Sequence, residues 1–150
     1  VMPNTPTLVG KGAAAISLGA GVSADQSDFI KGLLAATGKV IEVSEDLQDA
    51  VTATSGSGPA YFFAFVEAMI AGAKKLGLSE ADATTLTVQT IVGSAALLAE
   101  SGDSATTLRE KVTSPNGTTA AALASFESAH LSQIVADAMV AAHKRSQELA

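Results

Sequence analysis

The chain has 150 residues, 47% of them hydrophobic and only 4% aromatic, with a formal net charge of −6 and no cysteine. This size and apolar content predict a folded globular chain, and a core of small aliphatic side chains favours closely packed helices. The acidic balance disfavours a nucleic-acid partner. Disulfides and thiolate metal sites are excluded, and the two histidines lack ligand spacing, so we expect no metal site.

The most apolar run, Val88 to Ala99, is interrupted by polar side chains. It is also shorter than the roughly 20 residues that a membrane helix requires. The chain opens on Val1-Met2-Pro3-Asn4, without a basic-then-apolar leader. We therefore expect no membrane partner and a cytoplasmic protein, and we interpret the chain as a fragment that begins within an element.

Residues 1–43 have a mixed pattern. Gly12 to Gly19 and Lys39 to Val43 read as short strands. Between them, Ser23 followed three residues later by Gln26 is a capping box, which indicates the start of a helix, and Gly38 is placed to end it. This part of the sequence predicts strand-helix-strand.

From residue 44 onward strand signals disappear, and alanine-rich helical periodicity takes over. Ser79 is a helix N-cap candidate and begins the clearest of these segments. The fold class is therefore mainly α, with a rigid junction near residue 44. Several alanine-rich faces exceed what one small bundle covers, so we expect a homo-oligomer, at least a dimer. The predicted helices lie near residues 45–54, 58–76, 79–101, 104–112, 118–128 and 130–149.

Two connections between predicted helices are candidates for chemistry. The first, Thr54 to Tyr61, contains two glycines and a proline at a helix start. One interpretation is a tight helix-helix connection, and the other is that the glycines let a ligand or a neighbouring backbone come close. The Gly-x-Gly spacing does not follow a strand, so it is not a dinucleotide-binding fingerprint.

The second connection, Val112 to Thr119, contains the turn dipeptide Asn116-Gly117 just before an apolar helix. The first N–H groups of that helix lack internal partners, so the segment predicts a site for an anion such as a carboxylate. The alternative is that Ser114, Thr118 and Thr119 only cap the helix. Two successive threonines exceed what a single cap requires.

Four segments together resemble the pyrroline-5-carboxylate reductase family in order and spacing. They are Met2-Pro3-Asn4-Thr5-Pro6, Ser55 to Tyr61, Gln89 to Gly93 and Val112 to Thr119. The resemblance implies NAD(P)H-dependent reduction of 1-pyrroline-5-carboxylate to L-proline, in proline biosynthesis. It also implies that residues 1–43 close a Rossmann-type domain and that residues 44–150 form an all-helical dimerisation and substrate-binding domain. The cofactor, NADPH or NADH, would be bound mainly by a preceding domain, without which this fragment should be inactive.

The resemblance also assigns site residues. Ser114, Gly117, Thr118 and Thr119 would hold the substrate carboxylate, with the Thr119 hydroxyl beside the ring nitrogen as the catalytic group, and Val112 would border the nicotinamide. The family usually has glycine where this chain has Asn116. Two alternatives stay open: a non-catalytic helical dimerisation module, and the helical domain of another Rossmann-linked dehydrogenase, for which no central lysine is present.

Overall fold

A computed structural model describes residues 1–149 and confirms the strand-helix-strand beginning. Strand β1, Gly12–Ile16, and strand β2, Gly38–Glu42, pair in parallel and flank helix α1, Ala24–Ala35. The predicted capping box is present at the start of α1. The Gln26 backbone N–H donates to Ser23 Oγ at 3.3 Å, and the Ser23 N–H donates to Gln26 Oε1 at 2.9 Å.

The segment before β1 is ordered against that strand. Met2 and Ala15 exchange two backbone hydrogen bonds of 2.9 and 3.0 Å in an antiparallel bridge. A 3-10 helix, Thr5–Val9, follows the bridge and was not predicted. Gly38 was expected to end α1, but the structure gives a different reason for glycine at this position. A Cβ there would overlap the backbone of Gly12 on the neighbouring strand.

Residues 45–54 are helical as predicted, but they do not form a single helix. The segment consists of a 3-10 turn, Glu45–Leu47, a short α-helix, α2, Gln48–Val51, and a π-helical turn, Thr52–Gly56. The Thr52 hydroxyl donates to the Gln48 carbonyl at 2.9 Å, and the Ser57 N–H reaches back five residues to the Thr52 carbonyl at 2.8 Å. Side-chain bonding to helix carbonyls is known to distort helices, and here it accompanies the wider turn.

The remaining helices match the predictions within one or two residues at each end. Ser79 caps the helix that begins at Glu80 as predicted, since its Oγ accepts the Asp82 N–H at 3.1 Å. No helix within residues 1–149 is long and apolar enough to cross a membrane. Nor does the described part of the chain bring three potential metal-ligating side chains together. The helices are α3, Gly58–Lys75; α4, Glu80–Glu100; α5, Ala105–Lys111; α6, Thr118–Ser128; and α7, Leu131–Leu149.

The chain divides into two compact units. The first comprises Val1–Phe63 and the chain from Val135 onward, and it buries Ala15, Ile16 and Ala53. In it, the Ser146 hydroxyl on α7 donates to Asp49 Oδ1 at 2.6 Å. The predicted boundary between residues 43 and 44 stays a prediction.

The second unit, Ala64–Ile134, buries Ala83 and Thr87 of α4. The rings of Phe65 and Phe126 lie 6.4 Å apart, a usual separation for a contacting aromatic pair. Its helices have few contacts with one another among the described residues. Large apolar side chains are consequently exposed here, including Leu86, Val88, Val92, Leu97 and Leu98 on α4.

Candidate functional site

The connection between α5 and α6 is a tight turn that begins at Ser114. The Gly117 N–H donates to the Ser114 carbonyl at 3.0 Å and closes the turn. Pro115 occupies its second position, and Asn116 occupies the third with φ of 60°, as a type II turn requires. Asparagine tolerates this left-handed conformation better than other non-glycine residues. The predicted turn is therefore confirmed, with Asn116 in the position where the family usually has glycine.

Gly117 does not use the positive φ that glycine permits, since its φ is −80°. Glycine is required there for space. A Cβ at this position would lie 2.5 Å from Ser114 Oγ and 3.1 Å from the Ser114 carbonyl oxygen. Ser114 and Gly117, two of the four residues that the family resemblance places at the substrate, are thus in direct contact through the closed turn.

The N-terminus of α6 is open. Gly117 is its N-cap residue, and no side chain makes a capping hydrogen bond. The interpretation that Ser114, Thr118 and Thr119 only cap this helix is therefore wrong. Among residues 1–149, no acceptor pairs with the backbone N–H groups of Thr118, Thr119 and Ala120. Three donors at the positive end of an 11-residue helix form an arrangement that favours an anion.

The remaining predicted site residues lie on both sides of this turn. Thr119 is half-buried in the first turn of α6, whereas the preceding Thr118 is exposed. Val112 follows the last residue of α5 and is 65% exposed. The Thr113 hydroxyl donates to the Arg109 carbonyl at 2.6 Å and fixes the exit from α5. The structure thus collects the predicted residues in one loop, although it does not test their roles.

The first candidate connection, Thr54 to Tyr61, is held by contacts within its own unit. The side-chain amide of Asn4 donates to the Ser55 carbonyl at 3.0 Å, and the Tyr61 hydroxyl donates to the Ala53 carbonyl at 3.1 Å. A Cβ on Gly56 would lie 3.4 Å from the Met2 sulfur. A neighbouring segment of the same chain therefore approaches this glycine. Sequence reasoning quoted Asn4 only as part of a family segment and missed its contact with Ser55.

Comparison with protein families decides the assignment. Residues 45–149 match a family model described as pyrroline-5-carboxylate reductase dimerisation. The chain belongs to the pyrroline-5-carboxylate reductase family. It is 47% identical over 150 residues to pyrroline-5-carboxylate reductase of Pseudomonas aeruginosa and 41% identical over 149 residues to that of Arabidopsis thaliana. Each match covers 99% of this chain but only 55% and 54% of the relative, so the chain spans about half the length of these relatives.

Solved structures of pyrroline-5-carboxylate reductases have the same fold. The Coxiella burnetii enzyme superposes with a TM-score of 0.96 at 41% identity, covering 99% of this chain and 56% of that one. A Plasmodium falciparum pyrroline carboxylate reductase solved with NADP bound gives a TM-score of 0.91 at 34% identity, covering 98% and 60%. The corresponding parts of these reductases therefore share the fold of this chain, in which two parallel strands are followed by a mainly helical region.

Proposed function

We propose that this chain is the substrate-binding and dimer-forming part of an NAD(P)H-dependent pyrroline-5-carboxylate reductase, which reduces 1-pyrroline-5-carboxylate to L-proline. One observation carries the proposal. The segment that resembles the family's substrate loop, Ser114 to Thr119, ends in the uncapped N-terminus of α6. Its free donors match the carboxylate of such a substrate.

The carboxylate would lie in front of the free N–H groups of Thr118, Thr119 and Ala120. Each charge-dipole interaction at a helix N-terminus is worth roughly 0.3–1 kcal/mol, and more when the site is partly buried. The closed turn holds Ser114 and Gly117 against each other beside this site. The space next to the Gly117 Cα is already filled by Ser114, so a side chain at position 117 would not fit. Preformed backbone donors hold the anion without a large ordering cost.

The Thr119 hydroxyl would lie beside the ring nitrogen. Within residues 1–149 this hydroxyl has no hydrogen-bond partner, so it is free to accept from a protonated imine. A protonated imine is already electrophilic, and the bound reduced nicotinamide supplies the hydride. The contribution of this chain is then placement of the imine carbon and stabilisation of the ring N–H, with Val112 bordering the nicotinamide.

Residues 1–43 would close a Rossmann-type domain that binds most of the cofactor, NADPH or NADH. A parallel sheet is normally covered on both faces and rarely consists of two strands alone. Beside β1 and α1 lies a cavity of about 430 Å³ lined by Ile16, Phe29 and Ile30, among others. The Ser27 hydroxyl, also on its lining, is buried without a partner. Both features support a further covering layer of α/β structure.

Assembly and location complete the proposal. The exposed apolar side chains of α3, α4 and α7 support a homo-oligomer, at least a dimer. A cytoplasmic location remains our expectation from the sequence. The alternative function, a non-catalytic dimerisation module, predicts assembly without any effect of the Ser114–Thr119 loop on turnover.

Thr119→Val in the full-length reductase tests the proposal. Valine keeps the shape of the side chain and removes only the hydroxyl. Losing one hydrogen bond of roughly 1–3 kcal/mol to a partly charged substrate should lower kcat/KM for pyrroline-5-carboxylate by about 10- to 100-fold. Cofactor affinity should hardly change. Steady-state kinetics with both substrates varied measures the two effects separately.

Thr107→Val on α5 is the matched control. It also removes one threonine hydroxyl, which lies 2.9 Å from Ser104 Oγ, outside the loop. Its effect on kcat/KM should stay within about twofold, because the Thr107 hydroxyl lies outside the loop and its hydrogen bond is exposed, so that losing it changes stability little. Wild-type kcat/KM in Thr119→Val would remove the proposed role of the hydroxyl. A full-length protein without activity toward pyrroline-5-carboxylate would favour the dimerisation module.

A further inference from the structure

Asn116 and Gly117 form a chemically reactive pair within the loop from Ser114 to Thr119. Asparagine is a labile residue, and it is most labile before glycine, because no side chain then hinders attack by the following backbone nitrogen on the side-chain amide carbon. Asn116 is exposed, and within residues 1–149 its side-chain amide has no hydrogen-bond partner. This side chain is therefore free to turn toward the Gly117 nitrogen.

The backbone of the turn both restrains this reaction and favours its onset. The Gly117 N–H donates to the Ser114 carbonyl at 3.0 Å, so this hydrogen bond must open before the nitrogen can react. Opening the turn also releases the φ of 60° at Asn116, a left-handed conformation that costs an L-residue free energy. Hydrogen bonds in exposed loops open at low free-energy cost. The turn should therefore slow the reaction without preventing it.

We propose that Asn116 is a deamidation site and that its conversion weakens substrate binding at the start of α6. The Gly117 nitrogen loses its proton and forms a bond to Asn116 Cγ, and the side-chain nitrogen leaves as ammonia. Water then opens the resulting cyclic imide at either of its two carbonyl carbons. The product at position 116 is an aspartate or an isoaspartate, in which the main chain runs through the side-chain carbon. Water is the only co-reactant, and nothing is oxidised or reduced.

Both products place a new negative charge one residue before the N-cap of α6. This inference rests on the proposed function, in which the free N–H groups of Thr118, Thr119 and Ala120 hold the substrate carboxylate. A carboxylate tethered beside these donors competes for them at a high effective concentration. It also repels the negative charge of the substrate. Conversion should therefore raise KM for pyrroline-5-carboxylate, whereas binding of the cofactor should hardly change.

Asn4 is an internal control, because it is the only other asparagine in the sequence. Its Oδ1 accepts the Ala13 N–H at 2.8 Å, and its Nδ2 donates to the Ser55 carbonyl at 3.0 Å. A side chain held at both ends cannot turn toward the following nitrogen. The next residue is also the β-branched Thr5, which hinders the approach. We therefore expect conversion at Asn116 and none at Asn4 in the same sample.

Incubation of the full-length reductase in mildly alkaline buffer tests the proposal. Peptide mass spectrometry at intervals should show the change from amide to carboxyl in the fragment that contains Asn116, and no change in the fragment that contains Asn4. Steady-state kinetics on the same samples should show KM for pyrroline-5-carboxylate rising about tenfold as conversion becomes complete. A synthetic peptide of residues 112–119 measures the rate without the turn, and it should convert faster than the folded protein.

Two variants separate the effect of the new charge from general ageing of the enzyme. Asn116→Gly has the residue that the family usually has here and cannot form the imide, so its KM should stay constant during the same incubation. Asn116→Asp has the charge of the product from the start. Its KM should be about tenfold above that of wild type before any incubation. Its melting temperature should stay close to that of wild type, because aspartate also tolerates a positive φ.

The outcomes keep this inference apart from the proposed function. The mass measurement needs no activity, so a fresh wild type that fails to reduce pyrroline-5-carboxylate would overturn the proposed function whatever the masses show. With an active wild type, an unchanged mass at Asn116 when the peptide is fully converted would overturn the inference. A wild-type KM in the converted protein or in Asn116→Asp would overturn it as well. The inference is equally wrong if KM of Asn116→Gly rises during incubation as fast as that of wild type.

Discussion

Gly117 and Gly58 lie at the starts of α6 and α3, and neither has the positive φ that often explains a glycine. Their surroundings differ. A Cβ at Gly117 would press on Ser114, whereas a Cβ at Gly58 would enter open space. Gly117→Ala should therefore destabilise the protein by about 1–3 kcal/mol, as overpacking usually does. Denaturant unfolding of wild type and variant measures this difference.

The double variant Ser114→Ala, Gly117→Ala is the internal control for this clash. Removing Ser114 Oγ takes away the closest atom, at 2.5 Å, and leaves the carbonyl contact at 3.1 Å. The double variant should therefore be more stable than the summed effects of the two single variants predict, because Ser114→Ala relieves part of the clash that Gly117→Ala creates. If Gly117→Ala were as stable as wild type, space would not be the reason for glycine at this position.

Helices α3 and α4 are joined by a short connection that carries an ion pair. Lys74 Nζ lies 2.9 Å from Glu80 Oε2, and both side chains are exposed. The hydrogen bond from Lys74, together with its positive charge, holds the pKa of Glu80 below its ordinary value. A carboxyl with a lowered folded-state pKa contributes stability above its unfolded-state pKa, about 4.3, and loses it as pH falls through the folded-state pKa.

Glu80→Gln should consequently lower the melting temperature slightly near neutral pH and at low salt. The difference from wild type should vanish at a pH below the folded-state pKa and shrink in high salt, because exposed pairs are screened. Glu67→Gln, at an exposed position on α3 outside this ion pair, is the control for losing a surface carboxylate. Thermal unfolding at two pH values and two salt concentrations measures these differences. A difference independent of pH would mean that the ion pair does not contribute.

At the scale of the whole molecule, the dominant feature is apolar surface left uncovered by the described residues. Leu97 on α4 is 53% exposed, and Phe63 on α3 is 63% exposed. Such surface is normally covered by another molecule or domain. We expect the full-length protein to sediment as a dimer or larger at micromolar concentration, and Leu97→Lys to shift it toward monomer. Leu8→Lys, at an 89% exposed position outside the matched dimerisation region, should leave the sedimenting species unchanged. A wild-type monomer would remove the proposed assembly.

The chemistry of neighbouring residues was sufficient to predict most of the helices, strands and turns. The capping box at Ser23, the N-cap at Ser79 and the turn at Asn116 were all predicted, because each depends on residues within four positions of one another. The free N–H groups at the start of α6 were predicted for the same reason. Its residues are contiguous, and a helix N-terminus leaves its first N–H groups free whatever surrounds it.

The tertiary structure decided what depends on distant segments. The Asn4–Ser55 hydrogen bond joins residues 51 positions apart, and no periodicity or turn pattern encodes such a pairing. The π-helical turn at Thr52–Gly56, read from the sequence as an ordinary helix, became visible only with the backbone geometry. The reason for glycine at 117 was likewise a distance to Ser114 rather than a conformational preference. Sequence fixes local hydrogen bonding through neighbouring residues, whereas close approach and long-range pairing are set by how the whole chain packs.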